Sequence, residues 1–206
     1  MFKYLLYTLV GITITIGISS LFHLGKVHLK NQSEMSKYID KKEEYTNDLG
    51  NVLVIYYSLT GKTAKIAKEI QEITKADTYE IKTVSEFKNG FSFYSEIKKQ
   101  IKTKDYPKIK NDFPNFDRYD TIFVGSPVWW YTVSTPVSAF LKKVNFNNKK
   151  VISFSTQGSN YGNFFTDFKE QAQDAIVING ASFNNLPKEY NEAVKNKIIV
   201  WLNSIK

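Results

Sequence analysis

The residues with the clearest chemical pattern are those of the segment 58–63, Ser-Leu-Thr-Gly-Lys-Thr, which follows an apolar run and leads into helical spacing. Hydroxyl groups and free N–H groups at the start of a helix bind anions, because the positive end of the helix dipole lies there. The segment therefore predicts a phosphate site. Two alternatives stay open. It is also typical of an ordinary helix N-cap, and its end matches a P-loop, although Tyr56 stands where that motif begins with glycine.

A second pattern is the aromatic loop from Gly125 to Pro136, which contains Trp129, Trp130 and Tyr131 in succession. Stacking on such rings favours a flat conjugated ligand, by about 1 kcal/mol beyond simple burial. The alternative is that one or two of the rings cover the sheet as core residues.

A third pattern is the polar loop 155–163, which contains two glycines and ends near a predicted helix start. Its backbone amides are free to contact the rim of a heterocycle. The same composition also fits a simple connection with a helix cap near Asn163.

The composition excludes several kinds of chemistry. The 206 residues include no cysteine, and the two histidines, His23 and His28, lie near the amino terminus. Thiolate nucleophiles, histidine bases and Cys- or His-ligated metals are therefore not available from residue 51 onward. We predict no catalytic side chain and no metal site, so redox chemistry requires a bound cofactor.

The net charge of +8 is spread along the chain rather than clustered. Lysines occur singly and in pairs, without a run of five or more. This pattern predicts a solvated basic surface and no nucleic-acid partner.

The segment 51–206 shows alternating strand and helix signals, typical of a parallel α/β sheet. Ligands of such sheets bind where the strands end, near the point at which strand order reverses. The predicted strands are 51–57, 78–84, 121–125, 150–155 and 175–183, and the predicted helices are 62–75, 93–102, 135–144, 163–173 and 188–205.

The amino-terminal segment from Tyr4 to Leu24 contains no charged residue over 21 positions. As a helix it spans about 31 Å, the thickness of the hydrocarbon core of a bilayer. We predict a single-pass transmembrane anchor within residues 1–25, a polar linker at 26–50 and one domain at 51–206. A cleaved signal peptide and a buried soluble helix are the alternatives. The short charged tail before the apolar segment resembles an uncut export signal and favours a domain outside the cytoplasm.

Together the three loops resemble those of the flavodoxin family, in particular its short-chain FMN-binding members. Segment 58–63 is similar to the family's [TS]-x-T-G-x-T phosphate loop, and Gly125 to Trp130 is similar to its G-x-P-[IV]-W-W loop beside the flavin. Segment 156–159 resembles the third loop, although relatives often carry His where Gln157 stands. The resemblance implies a flavodoxin-like, doubly wound, five-stranded parallel sheet of strand order 2-1-3-4-5 that binds FMN without a covalent bond.

The resemblance also implies the roles of individual residues. The phosphate is expected at Ser58, Thr60, Gly61, Lys62 and Thr63, with Lys62 contributing mainly its backbone N–H. The residues expected along the isoalloxazine ring are Pro127, Val128, Trp129 and Trp130. Those expected at its rim are Thr156, Gln157 and Gly158, with Tyr161 a further candidate for one face of the ring.

Two departures from electron-carrier flavodoxins bear on function. Those carriers are usually acidic, whereas from residue 51 onward 22 lysines and arginines face 15 aspartates and glutamates, a net charge of +7. Carriers also commonly use a glycine peptide beside the flavin, and no glycine lies between Ser126 and Thr135. The sequence thus predicts a membrane-anchored FMN-dependent oxidoreductase, linked to NAD(P)H or quinones, that reduces quinone-like or other small acceptors. The alternatives are a one-electron carrier and a non-enzymatic binding module that has lost flavin.

Overall fold

One sheet forms the centre of the domain in the computed structural model, which describes residues 2–87, 90–110 and 112–206. Its strands are β1 (Val52–Tyr56), β2 (Asp77–Glu80), β3 (Thr121–Trp129), β4 (Thr132–Val133), β5 (Lys150–Gln157) and β6 (Ile176–Asn184). The order across the sheet is β2-β1-β3-β5-β6, all parallel, with β4 antiparallel to β3. Counted without β4, this is the predicted order 2-1-3-4-5, so the predicted α/β fold is confirmed.

Helices cover both faces of the sheet. The helices of the described chain are α1 (Phe2–Met35), α2 (Lys62–Thr74), α3 (Phe91–Thr103), α4 (Thr135–Leu141), α5 (Phe164–Gln171) and α6 (Asn191–Ser204), with a short 3-10 helix at Lys188–Tyr190, and α1 lies mostly outside the domain. One core cluster contains residues of α4 and α5, and the other contains residues of α2 and α6. The apolar residues of α2, Ile66, Ala67 and Ile70, recur at helical spacing and are buried.

Most predicted elements are present, with shifted ends. β2 stops at Glu80 rather than Val84, and Thr83 instead forms an isolated antiparallel bridge with Ile109. The predicted last helix divides into the 3-10 turn and α6.

The largest difference lies after Gly125, where a loop was predicted. β3 continues to Trp129, and a two-residue turn of Trp130 and Tyr131 leads into β4. Both turn residues have positive φ, 50° and 64°. Such turns normally carry Asn and Gly, so two aromatic residues provide no turn signal in the sequence.

The amino-terminal helix α1 extends beyond the predicted membrane segment to Met35. Within the described residues, one helix is long and apolar enough to cross a membrane, and the qualifying stretch is Ile12–Met35. This property rests on length and composition alone. Met1, the first residue of the predicted anchor, lies outside the described residues.

The predicted linker 26–50 contacts the domain at several points. Met35 is buried in the core cluster that includes α6, and Leu49 is buried there as well. The side chain of Asn47 donates hydrogen bonds to the carbonyl oxygens of Leu202 and Ile205, at 2.9 and 2.8 Å. The polar composition of this segment gives no sign of these contacts.

Gly180 lies where the register between β5 and β6 shifts, between Ile152 and Phe154. A Cβ atom at Gly180 would lie 1.9 Å from the carbonyl oxygen of Ser153. We expect Gly180→Ala to lower the free energy of unfolding by about 1–3 kcal/mol, because the neighbouring strand must move. Guanidinium unfolding of the detergent-solubilised chain measures this.

Gly158→Ala is the matched control, since a Cβ atom there meets no atom within 4 Å. It should leave the unfolding midpoint nearly unchanged. Equal stability of the two variants would contradict the close packing of β6 on β5.

Candidate functional site

The predicted phosphate segment connects β1 to α2 at the edge of the sheet where the parallel strands end, here called the carboxyl edge. Strand order reverses between β1 and β3, so this segment lies at the switch point. In the described part of the chain, the backbone N–H groups of residues 58–61 donate to no acceptor. Gly61 has φ 80° and precedes the first turn of α2, whose N–H groups point out of the helix end. The segment therefore presents several free donors together.

Ser58 adds a side-chain donor to this set. Its Oγ is buried and has no hydrogen-bond partner among the described residues. A buried hydroxyl without a partner costs about 1–3 kcal/mol, so such groups usually face a ligand or water. Thr60, Gly61 and Lys62 are exposed at the same segment.

Thr63 and Thr156 face each other instead of the open edge. The two hydroxyl oxygens lie 2.8 Å apart, and either one can be the donor. Thr63 is 1% exposed and Thr156 is 4% exposed. This hydrogen bond joins the first turn of α2 to the end of β5, so both residues hold two of the predicted loops together.

The hairpin of β3 and β4 carries the predicted aromatic residues. Pro127 lies beside Thr156 of β5, and Val128 and Trp129 pair with Val133 and Thr132. Trp130 and Tyr131 extend from the turn and are 47% and 59% exposed. The amino group of Lys98 lies 5.3 Å from the ring centre of Trp130.

Trp129 is half-buried at the centre of an aromatic cluster. Its ring meets those of Tyr57, Phe87 and Phe93 edge to face, with ring centres 5.7, 5.2 and 5.4 Å away. Edge-to-face contacts fix ring orientation. Trp129 is therefore held in place by side chains from three other parts of the domain.

A cavity of about 340 Å³ lies between this hairpin, α3 and the loop after β5. Val128, Trp129 and Trp130 line one side, and Gln157 and Gly158 line another. A second, more polar cavity of about 640 Å³ lies beside residues 57–60. Phe87 lines the second cavity and touches Trp129, which lines the first.

Gln157, the last residue of β5, is held by hydrogen bonds within its strand and to the end of β6. The side chain of Gln157 accepts from Ser155 Oγ at 2.9 Å and donates to Asn184 Oδ1 at 3.0 Å. Its backbone oxygen accepts from the N–H of Asn185. Tyr161 is 42% exposed, packs edge to face on Phe165, and does not line the first cavity.

Sequence reasoning missed the aromatic residues outside the three loops. Phe93 and Tyr94 belong to the first turns of α3 and line the cavity. The available signal is the run Phe-Ser-Phe-Tyr at the start of that helix, because a helix that follows a parallel strand begins near the carboxyl edge. Tyr57 and Phe87 carried no comparable signal.

A doubly wound sheet with free donors and aromatic rings at its switch point defines a mononucleotide-binding class of protein. The family model for flavodoxin matches residues 51–205. The chain therefore belongs to the flavodoxin family.

Solved structures agree with this assignment. A flavoprotein from Lactobacillus acidophilus NCFM, crystallised in complex with FMN, is 30% identical, with a TM-score of 0.59 over 65% of this chain and 93% of its own. A protein of Bacteroides uniformis ATCC 8492 classed as a flavoprotein is 25% identical, with a TM-score of 0.64 over 74% of this chain and 99% of its own. Among curated proteins, none matches this chain.

Burial, together with the nearby charge of Glu80, raises the pKa of Tyr57 to about 12 from its usual value of 10. The unfolded chain ionises this group near pH 10, while the folded chain keeps it neutral until about pH 12. The contribution of Tyr57 to the free energy of unfolding is therefore fully present below pH 10 and is lost as the pH rises toward 12. We expect the free energy of unfolding to fall less steeply in Tyr57→Phe than in the unchanged chain over this interval.

The measurement is guanidinium unfolding at a series of alkaline pH values. Because Phe keeps the edge-to-face contact with Trp129, the variant should still fold at neutral pH. Identical pH slopes for the two chains would show that Tyr57 is not the group responsible.

Proposed function

We propose that this chain binds FMN at the carboxyl edge and acts as a membrane-anchored flavin oxidoreductase that reduces quinone-like or other small acceptors. The observation that carries the proposal is that the free donors of residues 58–61 and the aromatic cavity lie at one switch point. A ligand that joins an anionic group to a flat ring can bind the free donors with the first and the aromatic cavity with the second.

The donor set fits a phosphate. Ser58 Oγ lacks a partner, and the free N–H groups of residues 58–61 lie at the positive end of α2. A phosphate accepts several hydrogen bonds at once, so it satisfies all of these groups without a lysine side chain.

The cavity fits a planar heterocycle. Its volume of about 340 Å³ falls in the range of small-ligand pockets. Trp129 and Trp130 provide aromatic walls, and the loop at Gly158 leaves backbone amides at the opposite side. Pro127 leads the hairpin into this position through its pairing with Thr156 of β5, and Val128 begins the pairing with β4.

FMN supplies transfer of one or two electrons when it is bound, and the protein supplies its orientation and surroundings. The charge of +7 from residue 51 onward disfavours the basic partners of acidic carriers. The turn beside the cavity carries two large residues, Trp130 and Tyr131, instead of glycine. Both features favour a reductase over a one-electron carrier.

Membrane anchoring is part of the proposal. The apolar stretch of α1 supports it, because this stretch is long enough to cross the hydrocarbon core of a bilayer.

Ser58→Ala tests the phosphate contact. We expect FMN affinity to fall about tenfold or more, because a hydrogen bond to a charged group contributes about 1.5–3 kcal/mol. Riboflavin, which lacks the phosphate, should bind the variant and the unchanged chain equally. Flavin fluorescence titration of the full chain in detergent measures both ligands.

Ser204→Ala is the matched control, since Ser204 is exposed at the far end of α6. Trp130→Ala should weaken FMN and riboflavin alike, because it removes a cavity wall. A correctly folded chain that binds neither ligand would favour the binding module without flavin.

Reductase activity is tested with the FMN-loaded chain, NAD(P)H and a water-soluble quinone. We expect NAD(P)H oxidation well above that of free FMN at the same concentration, because the cavity holds the ring in one orientation. Absorbance at the nicotinamide band follows the reaction. Tight FMN binding without NAD(P)H oxidation would favour a carrier supplied by another donor.

A further inference from the structure

The last turns of α1 contact the domain along one helical face. Val27, Asn31, Glu34, Met35 and Tyr38 are buried or half-buried and recur at helical spacing, with Tyr38 just beyond the end of α1. Every other described side chain before residue 31 is exposed. The helix therefore leaves the surface of the domain near Val27.

The contacts define the direction in which it leaves. Asn184, the last residue of β6, donates to Asn31, and Lys197 binds both Glu34 and the carbonyl oxygen of Ser182. Further along the chain, the N–H of Thr46 donates to Asn203 at 3.0 Å, near the end of α6. Thus the chain runs from the carboxyl edge toward the opposite edge as residue number increases.

The apolar part of α1 must then project beyond the carboxyl edge. Asn31 lies seven positions after Leu24, the end of the uncharged segment, which is about 10 Å along a helix. The proposed membrane segment, residues 4–24, thus ends close to the edge that carries the aromatic cavity.

The side chains at that edge match a membrane surface. Outside α1, the exposed large aromatic residues in the described part of the chain are Tyr94, Trp130, Tyr131 and Tyr161, which are 63%, 47%, 59% and 42% exposed. All four belong to α3, the hairpin turn or the loop after β5. Tyrosine and tryptophan are enriched where proteins meet lipid headgroups. Lys98, beside Trp130, adds a charge that suits anionic lipids.

The opposite edge has a different character. It carries the ion pair of Arg118 with Asp77, with 2.8 Å between Nη2 and Oδ2. Within the described residues it carries no exposed tyrosine or tryptophan. The two edges therefore differ in exposed tyrosine and tryptophan side chains, which favour binding at a membrane interface.

A hydrogen-bond chain connects the anchor to the cavity. Asn31 accepts from Asn184, Asn184 accepts from Gln157, and Gln157 lines the cavity and accepts from Ser155. These contacts join α1 to the rim of the site through three side chains. The orientation of the anchor and that of the site are thereby coupled.

We propose that the carboxyl edge faces the bilayer in which α1 is anchored, with Tyr94, Trp130, Tyr131 and Tyr161 in contact with the headgroup region. The cavity then opens toward the membrane surface, and the acceptor that reaches it is a lipid-soluble one. This inference rests on the membrane anchoring proposed above and adds the orientation of the site.

The chain contains no cysteine, so single cysteines can be introduced and spin-labelled without removing any. The full chain is reconstituted in vesicles of phosphatidylcholine and phosphatidylglycerol. Labels are placed by Tyr131→Cys and Tyr94→Cys at the aromatic edge, by Asp117→Cys at the opposite edge, and by Ile16→Cys in the anchor. Collision with oxygen, which concentrates in lipid, is compared with collision with a water-soluble nickel chelate.

We expect the labels at positions 131 and 94 to collide with the nickel chelate several-fold less than the label at 117. Equal, water-like access at 131, 94 and 117, together with a label at 16 in the bilayer, would overturn the orientation and leave the anchoring intact. A water-exposed label at 16 would overturn the anchoring itself and the orientation with it. Two edge positions guard against local disturbance of the hairpin turn by Tyr131→Cys.

Discussion

The contact between Gly125 and Phe154 is the constraint on which the site depends. The two residues lie side by side on β3 and β5, and a Cβ atom at Gly125 would lie 2.1 Å from the Phe154 ring. The absent side chain gives this buried ring its space at the centre of the sheet. Two residues beyond Gly125, the same pairing brings Pro127 beside Thr156. The aromatic hairpin and the loop after β5 therefore face each other because β3 and β5 keep this register.

The hairpin turn shows how backbone strain is accommodated next to the site. Positive φ at two consecutive non-glycine residues costs of order 1–3 kcal/mol each, and it persists where the surroundings determine the conformation. Here the carbonyl oxygen of Tyr131 accepts from the N–H of Asn163 at 2.8 Å, and Thr132 bonds to Asp167 of α5. Gly162 leaves room for this hydrogen bond, since a Cβ atom there would lie 2.5 Å from the carbonyl oxygen of Tyr131. The turn is thus held from outside, and its two rings extend toward solvent beside the cavity.

Sequence patterns predicted the parts of the fold that depend on burial. A continuous apolar run identified β1, and helical spacing identified α2 and α6, because these patterns reflect contact with a core on fixed faces. The hairpin was not predicted, since its conformation depends on tertiary contacts of Tyr131 rather than on turn-forming residues. The prediction of Thr63 at a phosphate did not include a protein partner for its hydroxyl, which lies 2.8 Å from that of Thr156, with either atom able to donate. A sequence shows that a hydroxyl is present at a helix start, but its partner depends on which strand lies beside it.

The position of α1 is likewise determined by tertiary contacts with the domain. In a parallel α/β domain all strands end at one edge. A helix that packs along β6 and α6, as α1 does, therefore approaches the sheet either from that edge or from the opposite one. The contacts of Asn31 and Lys197 show arrival from the carboxyl edge. Because Met35 is buried in the core, the last turns of α1 are fixed to the domain, and the domain has little freedom to turn relative to this helix. The proposed anchoring of α1 thus puts the bilayer on the same side of the sheet as the candidate site, a consequence of topology that does not depend on which ligand the edge holds.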